Sequence, residues 1–102
     1  MRRLMVRYKV KADRADENIG YIEQVFEELH RDRPKGFRYA SFRLPDGVSF
    51  VHLVSEEPDT GGDSLTDVEA FKRFTADVAD RCEEQPVVAE LTEVGSYRFF
   101  GE

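Results

Sequence analysis

The chain has a single cysteine, Cys82, in 102 residues. One thiol closes no internal disulfide and builds no cysteine-based metal cluster. Nor does any apolar run approach the roughly 18 residues that a membrane span requires. The opening segment from Met1 to Lys9 is basic, yet charge interrupts its apolar residues, so it does not read as a signal peptide. The expected address is a reducing cytoplasm, with no membrane partner. An excess of positive charge is missing as well. Fifteen Lys and Arg stand against 21 Asp and Glu, for a net charge of −6. Nucleic-acid binders gather cations on one face, because phosphate neutralisation supplies most of their affinity. Here the richest basic segment, Arg31-Asp32-Arg33-Pro34-Lys35, carries its own acid. No nucleic-acid partner is expected.

What remains is enough for one compact domain spanning residues 1–102. An apolar fraction of 40% with 12% aromatics supports a core despite 35% charged residues. From Leu4 to Lys11 the residues alternate, with Leu4, Val6, Tyr8 and Val10 on one side, which predicts a half-buried strand. Asp13 offers a cap to a helix whose apolar stripe is Ile19, Ile22, Val25, Phe26 and Leu29. Pro34 and Gly36 stop it. Phe37 to Leu44 and Val48 to Ser55 predict two strands joined by Pro45-Asp46-Gly47. Glu56 to Ser64 reads as a polar loop, with Gly61-Gly62 as a hinge for a lid; its acids do not have the spacing of a calcium loop. Thr66-Asp67-Val68-Glu69 forms a capping box. The helix behind it buries Val68, Phe71, Phe74, Val78 and Cys82, and Pro86 bounds it. A long last strand then runs from Val87 to Phe100, with Gly95 as a bulge or bend.

The turn decides which side chains share a face. A type I turn closed by a glycine bulge makes Leu44 oppose Val48, and then Phe42 meets Phe50 and Ala40 meets His52. In that register Tyr39, Val51 and Leu53 lie on the other face. A slip of one residue would instead set His52 beside Ser41. The proline and the glycine favour the first count.

The order strand, helix, strand, strand, helix, strand predicts a ferredoxin-like α+β fold. Two right-handed crossovers lay both helices on one face of a four-stranded antiparallel sheet. The opposite face is then bare, and an apolar expanse of that kind marks an association surface. We therefore expect a homodimer whose two sheets close face to face, with the tail from Tyr97 to Phe100 reaching the partner; the alternative is that the tail covers its own sheet.

Several segments carry a resemblance. The strand-to-helix junction Arg7-Tyr8-Lys9-Val10-Lys11-Ala12-Asp13, the aromatic strand Gly36-Phe37-Arg38-Tyr39, Phe50-Val51-His52-Leu53 and the helix motif Ala70-Phe71-Lys72-Arg73-Phe74 resemble the dimeric α+β barrel superfamily. Within it the chain resembles the small antibiotic-biosynthesis-monooxygenase-like proteins. That resemblance covers nearly the whole chain and implies the barrel architecture. It also implies an activity some members have, oxygenation of an aromatic substrate without metal or flavin. The haem-degrading branch is a poor fit, because this chain has no tryptophan and His52 falls on a strand. No cofactor and no metal are expected.

Candidate chemistry centres on the hairpin. His52 can act as base or ligand, since imidazole titrates near neutrality; its alternative is a core histidine with one nitrogen satisfied. Tyr39, Ser41 and Arg43 form an i, i+2, i+4 row whose side chains point one way. If that row lines the barrel, Tyr39 and Ser41 hold an acidic or phenolic ligand, while Arg43 stabilises an enolate. The alternative for Arg43 is a solvent-facing strand end paired with an acid. Cys82 reads as a small core residue. The expected function is a barrel that binds a small organic molecule, with His52 and Arg43 as catalytic residues if it oxidises that molecule; the alternative is a non-catalytic binding or assembly module.

Overall fold

The computed structural model describes residues 2–57 and 64–99. Four strands form one antiparallel sheet in the order β2-β3-β1-β4: β1 (Arg2–Val10), β2 (Phe37–Arg43), β3 (Ser49–Glu56) and β4 (Cys82–Leu91). Helix α1 (Ala15–Asp32) links β1 to β2, and α2 (Glu69–Ala76) with the short α3 (Val78–Arg81) links β3 to β4. This is the expected ferredoxin-like α+β arrangement, with the helices packed on one face of the sheet.

Alternation sets the layers. Tyr8 and Val10 of β1 and Phe50 of β3 point under the helices and meet Val25 of α1 and Phe74 of α2 in the core. The stripe of α1 buries Val25 fully, with Ile19, Ile22 and Leu29 packed around it. Asp13 does not cap this helix. It lies in a single 3-10 turn, Ala12–Arg14, that precedes α1. At the far end Arg33 takes a left-handed conformation (φ 47°), and its N–H reaches the Leu29 carbonyl before Pro34.

The hairpin register differs from the favoured count by one residue. Ser41 pairs with His52, Tyr39 with Val54 and Arg43 with Phe50. The turn itself forms as read, with Gly47 N–H donating to the Leu44 carbonyl at 3.0 Å and Gly47 at φ 80°. One further residue leaves the pairing. The Asp46 carboxylate accepts from Val48 N–H, Ser49 N–H and Ser49 Oγ at 3.0, 2.8 and 2.6 Å. Val48 gives its carbonyl to Val10 N–H of β1 instead, so Leu44 N–H bonds Ser49. Tyr39 consequently lies under the helices rather than on the bare face, which takes Ala40 and Phe42 together with Val51 and Leu53.

The second crossover is also shorter than expected. Ser64, not Thr66, caps the turn Leu65–Asp67, and α2 starts one step later behind Val68. Its free N–H groups at Glu69 and Ala70 donate to the Glu28 carboxylate of α1, at 3.2 and 3.0 Å. The helix breaks at Asp77, so Cys82 opens β4 and Pro86 lies inside that strand. Cys82 is buried in the core as expected. β4 ends at Leu91, and Gly95 lies beyond it. The proposed lid hinge Gly61-Gly62 and Phe100 lie outside the described residues.

Candidate functional site

Because of the shifted register, three polar side chains of the hairpin converge under the helices. His52 is 3% exposed and sits between two tyrosines. The Tyr8 hydroxyl lies 2.7 Å from its Nε2; the Tyr39 hydroxyl and Ser41 Oγ lie 2.8 and 2.6 Å from its Nδ1. The three rings are nearly parallel, with Tyr8 and Tyr39 centroids 5.3 and 5.8 Å from the imidazole. Phe26 of α1 stacks on Tyr39, and Phe74 of α2 tilts against both His52 and Tyr8. Neighbouring strands at alternating positions thus build an aromatic floor, and two helices hold it flat.

The network continues away from the hairpin. Asn18 Nδ2 donates to the Tyr8 hydroxyl at 2.9 Å, and Arg81 Nε donates to Asn18 Oδ1 at 3.1 Å. Arg81 is fully buried. Its Nη2 donates to the Phe74 carbonyl at 2.8 Å, and its guanidinium lies over the Tyr21 ring at 4.6 Å. No carboxylate is paired with it among the described residues, and Nη1 has no hydrogen-bond partner there.

Burial governs the protonation of this cluster. Desolvation lowers the His52 pKa from 6.5 to about 4, so the imidazole is neutral at physiological pH. Tyr39 is pushed up to about 12 by burial, against a lowering hydrogen bond from Ser41. Burial also raises Tyr8, opposed by its hydrogen bond to Asn18.

Above the floor lies a cavity of about 520 Å³ between the sheet and α2, within the usual size of a small-molecule site. Tyr8, Tyr39 and His52 are its polar floor. Val6, Val54, Phe37, Phe71, Phe74, Val78 and Val88 make its walls, and Glu56 and Glu57 stand at its edge. No lysine or arginine lines it among the described residues. Such a chamber suits a flat, largely apolar molecule held by few hydrogen bonds.

Of the residues singled out in the sequence, His52, Tyr39 and Ser41 come together. Arg43 does not join them. It is exposed at the end of β2, outside the cavity lining, with no hydrogen bond or ion pair among the described residues. The sequence reading missed Tyr8, Asn18 and Arg81. Asn18 carried a signal, since it precedes Ile22, Val25 and Leu29 at helical spacing on the buried stripe. Among the described residues no group of His, Cys, Asp and Glu could hold a metal ion, and no helix is long and apolar enough to cross a membrane.

The second hollow lies on the opposite face, which no helix covers, and Phe99 of the chain's own tail helps to line it. It measures about 430 Å³ and is lined by Arg38, Ala40, Phe42, Leu53, Leu91 and Phe99, among others. Phe42 is 48% exposed and Val87 65%, high values for large apolar side chains.

No family model matches the sequence, and no curated protein matches it. Solved structures match in fold. A putative antibiotic biosynthesis monooxygenase from Nitrosomonas europaea superposes with a TM-score of 0.75 at 16% identity, over 93% of this chain and 100% of that one. A second, from Caulobacter crescentus, gives 0.66 at 19% identity over 92% and 90%. SnoaB, a cofactor-independent oxygenase from Streptomyces nogalater, gives 0.65 at 15% identity over 93% and 94%. The chain has the α+β fold of these monooxygenase-like proteins.

Proposed function

We propose that the cavity under α2 binds a small, flat, uncharged aromatic molecule and promotes its oxidation by dioxygen without metal or flavin. The observation that carries this reading is the neutral His52 cluster on the floor of a largely apolar chamber. Fold likeness to a cofactor-independent oxygenase supports the reaction class. An aromatic ketone with a CH₂ group conjugated to the carbonyl through the ring reacts through its enolate. The enolate carbon gives electrons to dioxygen and forms a carbon–oxygen bond. The O–O bond then breaks, leaving a new C=O while both hydrogens depart with the other oxygen as water. Hydrogen bonds from a fixed polar cluster to the enolate oxygen favour that intermediate, more so in a dry site. Arg43, exposed outside the cavity, has no part in this scheme.

Dissolved-oxygen measurements with anthrone test the reading. The expected result is oxygen uptake above the buffer rate, one mole per mole of anthraquinone formed, and its loss in His52→Ala. Anthrone bound with no uptake would overturn the oxygenase reading and leave a carrier. The weak basicity of His52, with both nitrogens already engaged, is the observation that favours that second reading.

The proposal includes a homodimer in which a second copy covers the bare face, supported by the exposed Phe42, Val87, Leu91 and Phe99. Sedimentation at micromolar concentration should give twice 11.8 kDa; a stable 11.8 kDa species contradicts the pairing.

A further inference from the structure

We infer that Arg81, acting through Asn18 and Tyr8, fixes which nitrogen of His52 carries the proton, so that the cavity floor presents a hydrogen-bond donor and selects ligands bearing an acceptor. The inference rests on the reading of the cavity as a ligand site.

The protons of this chain run one way. Arg81 Nε has only a proton to give, so Asn18 turns its oxygen toward it, 3.1 Å away. The other end of that amide is then the NH₂ group, which donates to the Tyr8 oxygen at 2.9 Å. Tyr8 has one proton left and a second partner, His52 Nε2, at 2.7 Å. Were Nε2 protonated, the buried tyrosine proton would lose its acceptor, a costly arrangement. Nε2 therefore accepts, and the single proton of the neutral imidazole is on Nδ1.

Counting continues on the far side. Nδ1, Ser41 Oγ and the Tyr39 hydroxyl form a close cluster. With Nδ1 protonated, the cluster holds three protons, and only the two oxygens can accept. Nδ1–H and the Ser41 hydroxyl supply the two donors that close the group. The Tyr39 proton is left over, and of the two hydroxyl residues Tyr39 is the one that lines the cavity. Every link thus points from the buried cation toward the chamber. The opposite tautomer would make Nδ1 an acceptor, absorb both hydroxyl protons of Ser41 and Tyr39 and leave Tyr39 without a proton to offer the chamber. Arg81 and Asn18 touch no ligand; they are positioning residues.

Imidazole ¹⁵N NMR of the full chain reads the tautomer without any ligand. Native His52 should show a protonated Nδ1 and a bare Nε2. Asn18→Asp is the decisive variant. Its carboxylate keeps the Arg81 contact but accepts from Tyr8, so Tyr8 must accept from Nε2–H, and the tautomer should reverse. Two ligands of similar tricyclic shape read the consequence: 9-fluorenone, which only accepts, and carbazole, which carries an N–H donor. Native protein should bind fluorenone about tenfold more tightly than carbazole, the effect of one unmet buried hydrogen bond, and the preference should vanish in Asn18→Asp. A native Nε2–H tautomer, or an unchanged tautomer in a folded Asn18→Asp, overturns the inference. So does equal binding of the two ligands by native protein. If the variant does not fold, the native tautomer and native preference decide. If the native tautomer is as expected and neither tricycle binds, the relay stands while its ligand half and the cavity reading fall.

Discussion

The two faces of this sheet are built from the same four strands, one residue out of step with each other, and they differ in almost everything else. Under the helices, His52 and Tyr8 are buried and Tyr39 is half-buried, and the three are joined by hydrogen bonds to Ser41, Asn18 and Arg81. On the open side, Phe42, Val87 and Leu91 face outward beside Arg7 and Arg38. The covered face has most of its polar groups hydrogen-bonded to one another around a chamber, which specifies one geometry. The open face offers apolar area of low specificity, which suits closure by another surface. The proposed chemistry and the proposed association therefore fall on opposite sides of one sheet.

The sharpest way to break that contrast is to shorten a phenylalanine on each side. Phe74→Ala removes a ring packed on Tyr8, His52, Phe71 and Arg81, and should lower the urea-unfolding free energy by about 3–5 kcal/mol. Phe42→Ala should cost the isolated chain less than about 1 kcal/mol. Similar losses in the two variants would erase the difference claimed between the faces.

Between pH 6.5 and 4, acid should act chiefly through the covered face. The folded-state pKa of His52 lies below its ordinary 6.5, at about 4, so between those values the unfolded chain binds the proton and the folded chain does not. Stability from this residue is full above pH 6.5 and falls as pH drops toward 4, by a total of about 3 kcal/mol. Urea midpoints across that window should slope in native protein and flatten in His52→Gln. Equal slopes would show that the imidazole is not held neutral by burial.

For the open face, Leu53→Lys introduces a charge where the second copy is proposed to sit. Association measured by sedimentation should weaken at least about tenfold, while the urea midpoint of the monomer hardly moves. Unchanged association would place the contact elsewhere. The smallest effect is expected at the start of α2. Glu28→Gln keeps a side-chain acceptor for Glu69 and Ala70 but loses its charge at the helix start, and should cost about 0.5–1 kcal/mol by the same assay.

Much of the architecture was readable from periodicity. Val6, Tyr8 and Val10 alternate, the α1 stripe repeats at helical spacing, and hairpin and crossover order follow from Pro45, Gly47 and the polar segments. The register was not, because it turns on side-chain and tertiary bonds. Asp46 gathers three donors and Val10 takes the Val48 carbonyl, which draws one more residue out of the ladder than the turn type alone requires. That single step moved Tyr39 from the open face to the cavity and set Ser41 against His52. Arg81 was hidden for another reason. In the sequence it ends a polar stretch beside Asp80, like a solvated helix end, and only the break at Asp77 with the early start of β4 turns it inward.

The separation of the two faces is tested most directly by NMR of the full chain during addition of 9-fluorenone. The account expects the His52 imidazole nitrogens and the Tyr39 ring to shift on binding, with the methyl groups of Val51 and Leu53 unmoved. Shifts at Val51 and Leu53 with a silent His52 would put the ligand on the open face and contradict it.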